Sequence, residues 1–190
     1  MATQAPEKKG IVNGVDVDQL FATIEAIKGT PEIAKFQFRV RNKWINGGNN
    51  HITIKEFYGA QEDQEHEVPF ELEADEHQVL LGEDKGPNPV EYLLTGLSGC
   101  LTSALIYHAA ARGIKIKGVQ SRVEGDLDLR GFLDLSPDVK VGYENIRVYF
   151  KIDADVSPEQ KEELIQMAQK YSPVFNSVVN PTPVTVSLES

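Results

Sequence analysis

The sequence predicts an α+β fold, and three observations predict it. Val90 to Ala111 is one long apolar stretch at helical spacing whose only charge is Glu91. Alternating, strand-like runs lie on both sides of it, Lys35–Ile45 and His51–Tyr58 before and Tyr143–Asp155 after. The segments run helix, three strands, long helix, two strands, helix, strand. Strands grouped in this way form hairpins, whereas a doubly wound parallel sheet alternates single strands with helices.

Composition bounds the function. The chain has 190 residues, enough for one domain with its own core or one domain plus a short appendage. Its 19 Lys and Arg against 29 Asp and Glu give a formal net charge of −10. Such a protein repels phosphate backbones and anionic membranes, so neither nucleic acid nor membrane is expected as a partner. The acid is concentrated between Glu56 and Glu76, which reads as a solvated face. The N-terminus has no apolar secretion segment, and one Cys forbids an intrachain disulfide; both suit a cytoplasmic protein. No metal-ligand spacing, P-loop or dinucleotide fingerprint is present, so neither metal nor cofactor is expected.

Residues 1–13 read as a loose tail. Asp16 or Asp18 caps a helix running to about Lys28, with Val17, Leu20, Phe21, Ile24 and Ile27 on one face and Gly29 ending it. That stripe can dock on a core or on a second subunit. In Lys35–Ile45, Phe36, Phe38, Val40 and Trp44 share one face of a half-buried strand. Asn46-Gly-Gly-Asn-Asn50 is a hairpin signal. Glu62–Glu67 reads as a polar turn, and Val68, Phe70 and Leu72 as a third strand that Pro69 places at a sheet edge.

The central helix has both punctuation marks. Pro89 suits its first turn and Gly113 the left-handed position beyond its last. Leu93, Leu94, Leu97, Leu101, Leu105, His108 and Ala109 recur at helical spacing, so the helix is expected to be buried on most sides. Thr95, Ser98, Thr102 and Ser103 interrupt it and argue against a membrane span. After it, Ile114 to about Asp128 is a strand, Leu129–Gly142 an irregular connection and Tyr143–Asp155 a strand. Ser157-Pro-Glu-Gln160 starts a helix to about Tyr171, which Ser172-Pro173 breaks. Pro183–Leu188 is a final strand.

Cys100 is the first candidate for chemistry. It reads either as a small buried hydrophobe or as a nucleophilic thiol, which needs a cation or a helix N-terminus to hold the thiolate. It lies about three turns into the helix, beyond the reach of the dipole. The charge must come from elsewhere, and Arg39 and Arg41 are candidates unless they are ordinary solvated strand charges. Gly96 and Gly99 give access to a substrate or allow close helix packing. Glu91 is either a first-turn charge or a partner for an Arg; at about 100° per residue it lies opposite Cys100 on the helix. His108 with Cys100 and Glu91 raises a hydrolase triad, but eight residues do not bring His108 to the sulfur.

Gly-Pro-Asn-Pro-Val-Glu-Tyr-Leu-Leu (86–94) with Gly99-Cys100, Gly-Asp-Leu-Asp-Leu-Arg-Gly (125–131), Ser-Pro-Val-Phe (172–175) and Asn-Pro-Thr-Pro-Val (180–184) resemble the OsmC/Ohr family from about Lys35 to the end. The resemblance implies an N-terminal tail and helical extension over 1–34 and an OsmC-like domain over 35–190. It implies an intertwined α+β homodimer, with antiparallel sheets around central Cys-bearing helices and sites at the subunit interface. It also implies a peroxidase chemistry in which one Cys attacks an organic hydroperoxide, a second Cys resolves the sulfenic acid, and an Arg and a Glu activate the first thiol. Cys100 matches the attacking Cys and Glu91 resembles the family acid, one residue displaced. Two positions depart. Ser172 stands where the resolving Cys is expected, and Asn49 follows Gly47-Gly48 where the activating Arg is expected, so that Arg41 or Arg39 would have to substitute. The expectation is a one-Cys redox protein using an external thiol reductant, or a non-catalytic protein binding a hydrophobic small molecule at the dimer interface.

Overall fold

The structure, a computed structural model, describes residues 10–189. Of the tail expected over 1–13, residues 1–9 lie outside the described residues. The fold is α+β with antiparallel pairing in every described sheet. The chain divides into two compact units, one of Asp18–Leu93 and the other of the residues up to Val17 with those from Leu94 onward.

The first unit is a sheet built on β5 (Asn49–Gly59). The expected strand Lys35–Ile45 is two pieces, β3 (Gln37–Phe38) and β4 (Arg41–Asn46), both paired to β5. The hairpin expected at Asn46–Asn50 is there, with Gly47 at φ 54°. The next strand differs from expectation. No turn occupies Glu62–Glu67; the chain reverses at Ala60 and Gln61, with φ 52° and 71°, and β6 runs from Glu62 to Ala74. Two consecutive positive φ values match the twist of flanking strands, but neither residue carries the Asn or Gly signature of such a turn. Pro69 falls where the β5–β6 register shifts, between the pairs Ile54–Phe70 and Glu56–Glu65, so its missing N–H breaks no regular ladder. In this unit α1 (Val17–Gly29) precedes the sheet.

The two faces of this sheet differ. Arg41, His51, Thr53, Glu71 and Glu73 share one face by register. There Arg41 pairs with Glu56 at 2.8 Å, and Thr53 Oγ1 donates to Glu71 at 2.8 Å. The other face carries Trp44, Ile52, Ile54, Phe70 and Leu72. Rings of Phe36, Phe38, Phe57, His66 and Phe70 follow one another at centroid distances of 5.0–6.3 Å. The strand expected to be half-buried instead leaves Phe36, Phe38, Val40 and Trp44 exposed.

The second unit is organised by α2 (Pro89–Ala111), whose first turn is counted with the sheet unit. Gly113 N–H donates to Ala110 C=O and Ile114 N–H to Ala109 C=O, a Schellman close with Gly113 at φ 71°. Leu97, Leu101, Leu105 and Ala109 bury one stripe against Leu164 and Ala168 of α4 (Pro158–Tyr171) and the inner residues of β7 (Ile116–Leu127) and β8 (Tyr143–Ala154). Each fully buried Leu contributes about 1.5–3 kcal/mol. The helix is long and apolar enough to cross a bilayer by length and composition alone, but this stripe packs as a core helix does. It is not buried on most sides: Leu93, Gly96, Gly99, Ser103 and Tyr107 are exposed.

Ser157 and Gln160 form the expected capping box of α4. Asn13, in a turn between β1 (Ile11–Val12) and β2 (Val15–Asp16), donates to Ile114 C=O and accepts from Ile116 N–H, fastening the hairpin to the start of β7. The irregular connection contains α3 (Leu129–Phe132), and α5 (Pro173–Val179) follows α4. Pro183–Leu188 is not a strand. Val184, Val186 and Leu188 alternate as expected but are 81%, 91% and 98% exposed, and the segment pairs with no described strand.

Candidate functional site

The loop before α2 sets its entry. Asp75 is buried, and its carboxylate accepts from the backbone N–H groups of Glu76 at 2.8 Å and of Glu83 and Lys85 at 3.2 Å. Burial pushes Asp75 up, but these three donors outweigh it and hold the carboxyl below its ordinary value. At Gly86 a Cβ would collide with the Glu73 carbonyl, so the loop can pass only with glycine there.

Asn88 is the N-cap of α2. Its side chain accepts from Val90 N–H, and its own N–H donates to Glu91 Oε2 at 2.8 Å, an arrangement of the capping-box type. Glu91 therefore holds the helix start, with His77 Nε2 4.0 Å from its carboxylate. Tyr92 donates its hydroxyl to the Glu73 carbonyl at 2.6 Å, tying the first turn to β6. Beside this tie lies a cleft of about 300 Å³ lined by Asn42, Asn50, Ile52, Ala74, Pro89 and Tyr92. Among the described residues, no charged side chain lines it.

Arg41 lies on the opposite, polar face of the sheet, where both Nε and Nη2 donate to Glu56 and hold that carboxyl below its usual range. Arg39 pairs with Asp63 at 2.8 Å. Asn49, at the position expected to hold Arg, is buried and donates to Glu73 Oε2 at 3.0 Å. Its size and neutral amide suit that enclosed place.

Cys100 lies on α2, partly buried, nine residues after Glu91 and so on the other side of the helix. The ideal Cβ positions of Gly96 and Gly99 meet nothing within 4 Å. The helix surface at Gly96 and Gly99 themselves is thus open. His108 packs its ring on Tyr171 at 4.6 Å; burial, then Arg112, lowers its pKa. Ser172 is wholly buried; its Oγ accepts from Phe175 N–H at 3.1 Å and caps α5.

The 125–131 segment is a structural lock. The Tyr143 ring lies over Gly125, Asp126 is paired with Arg147, and Gly131 packs on the Lys140 backbone. The Arg130 side chain and backbone N–H hold the Asp128 carboxyl at about 2. The sequence reading missed the cleft. The β4–β5 register in the structure puts Asn42, Asn50 and Ile52 on one face, and nothing in the sequence marked Tyr92 as its wall.

Residues 82–187 match the family model described as OsmC-like protein. Among solved structures the chain is similar to an OsmC-like protein from Mycoplasma pneumoniae, with TM-score 0.57 and 19% identity, over 76% of this chain and 89% of that one. It is similar to an organic hydroperoxide resistance protein OsmC from Legionella pneumophila, with TM-score 0.52 and 20% identity, over 74% and 89%. It is also similar to an OsmC-like protein of unknown function from Vibrio cholerae, with TM-score 0.57 and 11% identity, over 74% and 92%. These likenesses carry the fold. No curated protein sequence matches the chain.

Proposed function

Because the chain belongs to the OsmC family, we propose that it is a thiol-dependent redox protein that reduces organic hydroperoxides through Cys100 in a one-Cys cycle. The observation that carries this reading is the place of Cys100 on α2, partly accessible, beside two glycines whose side-chain positions are open. That one similar structure is called an organic hydroperoxide resistance protein supports the substrate class.

In the cycle the Cys100 thiolate attacks the distal oxygen of ROOH. The O–O bond breaks, the alkoxide leaves and takes a proton as ROH, and the sulfur becomes a sulfenic acid. An external thiol condenses with it, releasing water and leaving a mixed disulfide. A second thiol attacks that bond, returning the Cys100 thiolate and a low-molecular-weight disulfide. Ser172 forms no disulfide, so the reductant comes from outside the chain. In this reading the protein acts in the cytoplasm as a homodimer, with Glu91 fixing the helix start and Arg41 released from Glu56 to stabilise the thiolate.

The test is thiol titration of the purified protein mixed with cumene hydroperoxide. Cys100 should be lost much faster than free cysteine, and turnover with added dithiol should vanish in Cys100→Ser. Loss no faster than free cysteine overturns the reading.

The cleft favours a second reading, a non-catalytic protein that binds a hydrophobic small molecule. Native mass spectrometry would then show a retained ligand, and the Cys100→Ser variant would keep it.

A further inference from the structure

On the polar face of the sheet His51 stands between two carboxylates. Its Nε2 lies 2.8 Å from Glu71 and its Nδ1 3.0 Å from Glu73, both on β6. Only imidazolium can donate from both nitrogens; the neutral ring turns a lone pair towards one carboxylate. Lys43 faces His51 from β4 by register, Arg41 lies two rungs further along that strand on the same face, and Lys85 acts on Glu73 from the loop. The two carboxylates dominate, and the Glu73 hydrogen bond above all raises the His51 pKa.

Glu73 has two ends. Its carboxylate binds His51 and the Asn49 amide, while its main-chain carbonyl accepts from Tyr92, a wall of the cleft. The His51–Glu73 rung is also next to the Asn50–Ala74 rung, both of whose residues line the cleft. Glu73 thus links the His51 ring to a wall residue of the cleft and to the first turn of α2.

We infer that His51, Glu71 and Glu73 form a pH-responsive latch that fastens β6 and the first turn of α2 when His51 is charged and loosens the wall of the cleft when it is neutral. The raised pKa fixes the sense. The latch is closed at and below the ordinary histidine value, about 6.5, and opens as pH rises through the higher value in the folded protein. At the acid end it is lost again as Glu73 protonates, below its ordinary range.

The latch is tested on the intact protein by following the His51 ring signals by NMR and hydrogen exchange, corrected for intrinsic pH dependence, in segments 71–74 and 88–93. His51 should titrate above the ordinary value, and protection of both segments should fall severalfold through that titration. His51→Gln should remove the pH dependence from both. Tyr92→Phe should remove it from 88–93 and leave it at 71–74. A His51 that titrates at or below the ordinary value, or protection at 88–93 that is flat through its titration, overturns the inference. So does an unaltered pH response in Tyr92→Phe.

Discussion

At position 172 a hydroxyl holds a backbone that a thiol would hold poorly. Ser172 is enclosed, and its Oγ takes the Phe175 N–H that begins α5. A thiol is a weak acceptor. Ser172→Ala should cost about 1 kcal/mol, and up to about 2, the range for a lost N-cap; urea denaturation followed by circular dichroism measures it. Ser172→Cys should fall between the two, since it fills the space without making the full bond. Gln61 shows the reverse case. It holds φ 71° with a side chain, in a reversal that glycine would make without steric cost. Gln61→Gly should raise stability by about 0.5–1 kcal/mol, because the relief of an L residue in the left-handed region, about 1–2 kcal/mol, exceeds the extra chain entropy of glycine. An unchanged or lower denaturation midpoint would show that the turn is not strained.

At the scale of elements, the loop from Ala74 to Asn88 depends on one carboxylate. Asp75 gathers three backbone N–H groups, so its folded pKa lies below the unfolded value of about 3.9. A depressed carboxyl contributes stability that is present above the unfolded pKa and lost as pH falls through the folded one. Melting temperature should therefore fall as pH drops below about 4, and Asp75→Asn should lower the neutral-pH value and flatten that acid slope. A parallel shift of the whole curve would assign the slope to other carboxylates. Elements whose signals are local were legible in the sequence. The box of Ser157 and Gln160 and the Gly113 close of α2 need only neighbouring residues to form. The Ala60–Gln61 turn was not legible, because its conformation is imposed by pairing of β5 with β6 rather than by its own residues. Cys100 was singled out by the motif around it, and it stands partly buried on α2. The cleft was not legible, because Tyr92 becomes its wall only through a bond to Glu73, nineteen residues earlier in the chain.

Taken as a whole, the molecule leaves uncovered the surfaces that its sequence marks for burial. Phe36, Phe38 and Phe70 of the aromatic row, one side of α2 and the alternating Val184, Val186 and Leu188 are all exposed within one chain. Exposed apolar surface on this scale marks an interaction site, and in the proposed homodimer a second copy supplies the cover. Gly99 separates this from the alternative. Nothing within 4 Å opposes a side chain there, so in an isolated chain Gly99→Ala should stabilise α2 by roughly 0.5–1 kcal/mol, the difference in helix propensity. If a second α2 crosses at Gly96 and Gly99, the added methyl must push the helices apart. Sedimentation velocity should then show a dimer that dissociates at a higher protein concentration in the variant, with a melting temperature that depends on concentration. A wild-type monomer, made more stable by Gly99→Ala at every concentration, would mean that these faces are not covered by a copy of the chain. The one-Cys cycle would then have to run in a site that one subunit supplies alone.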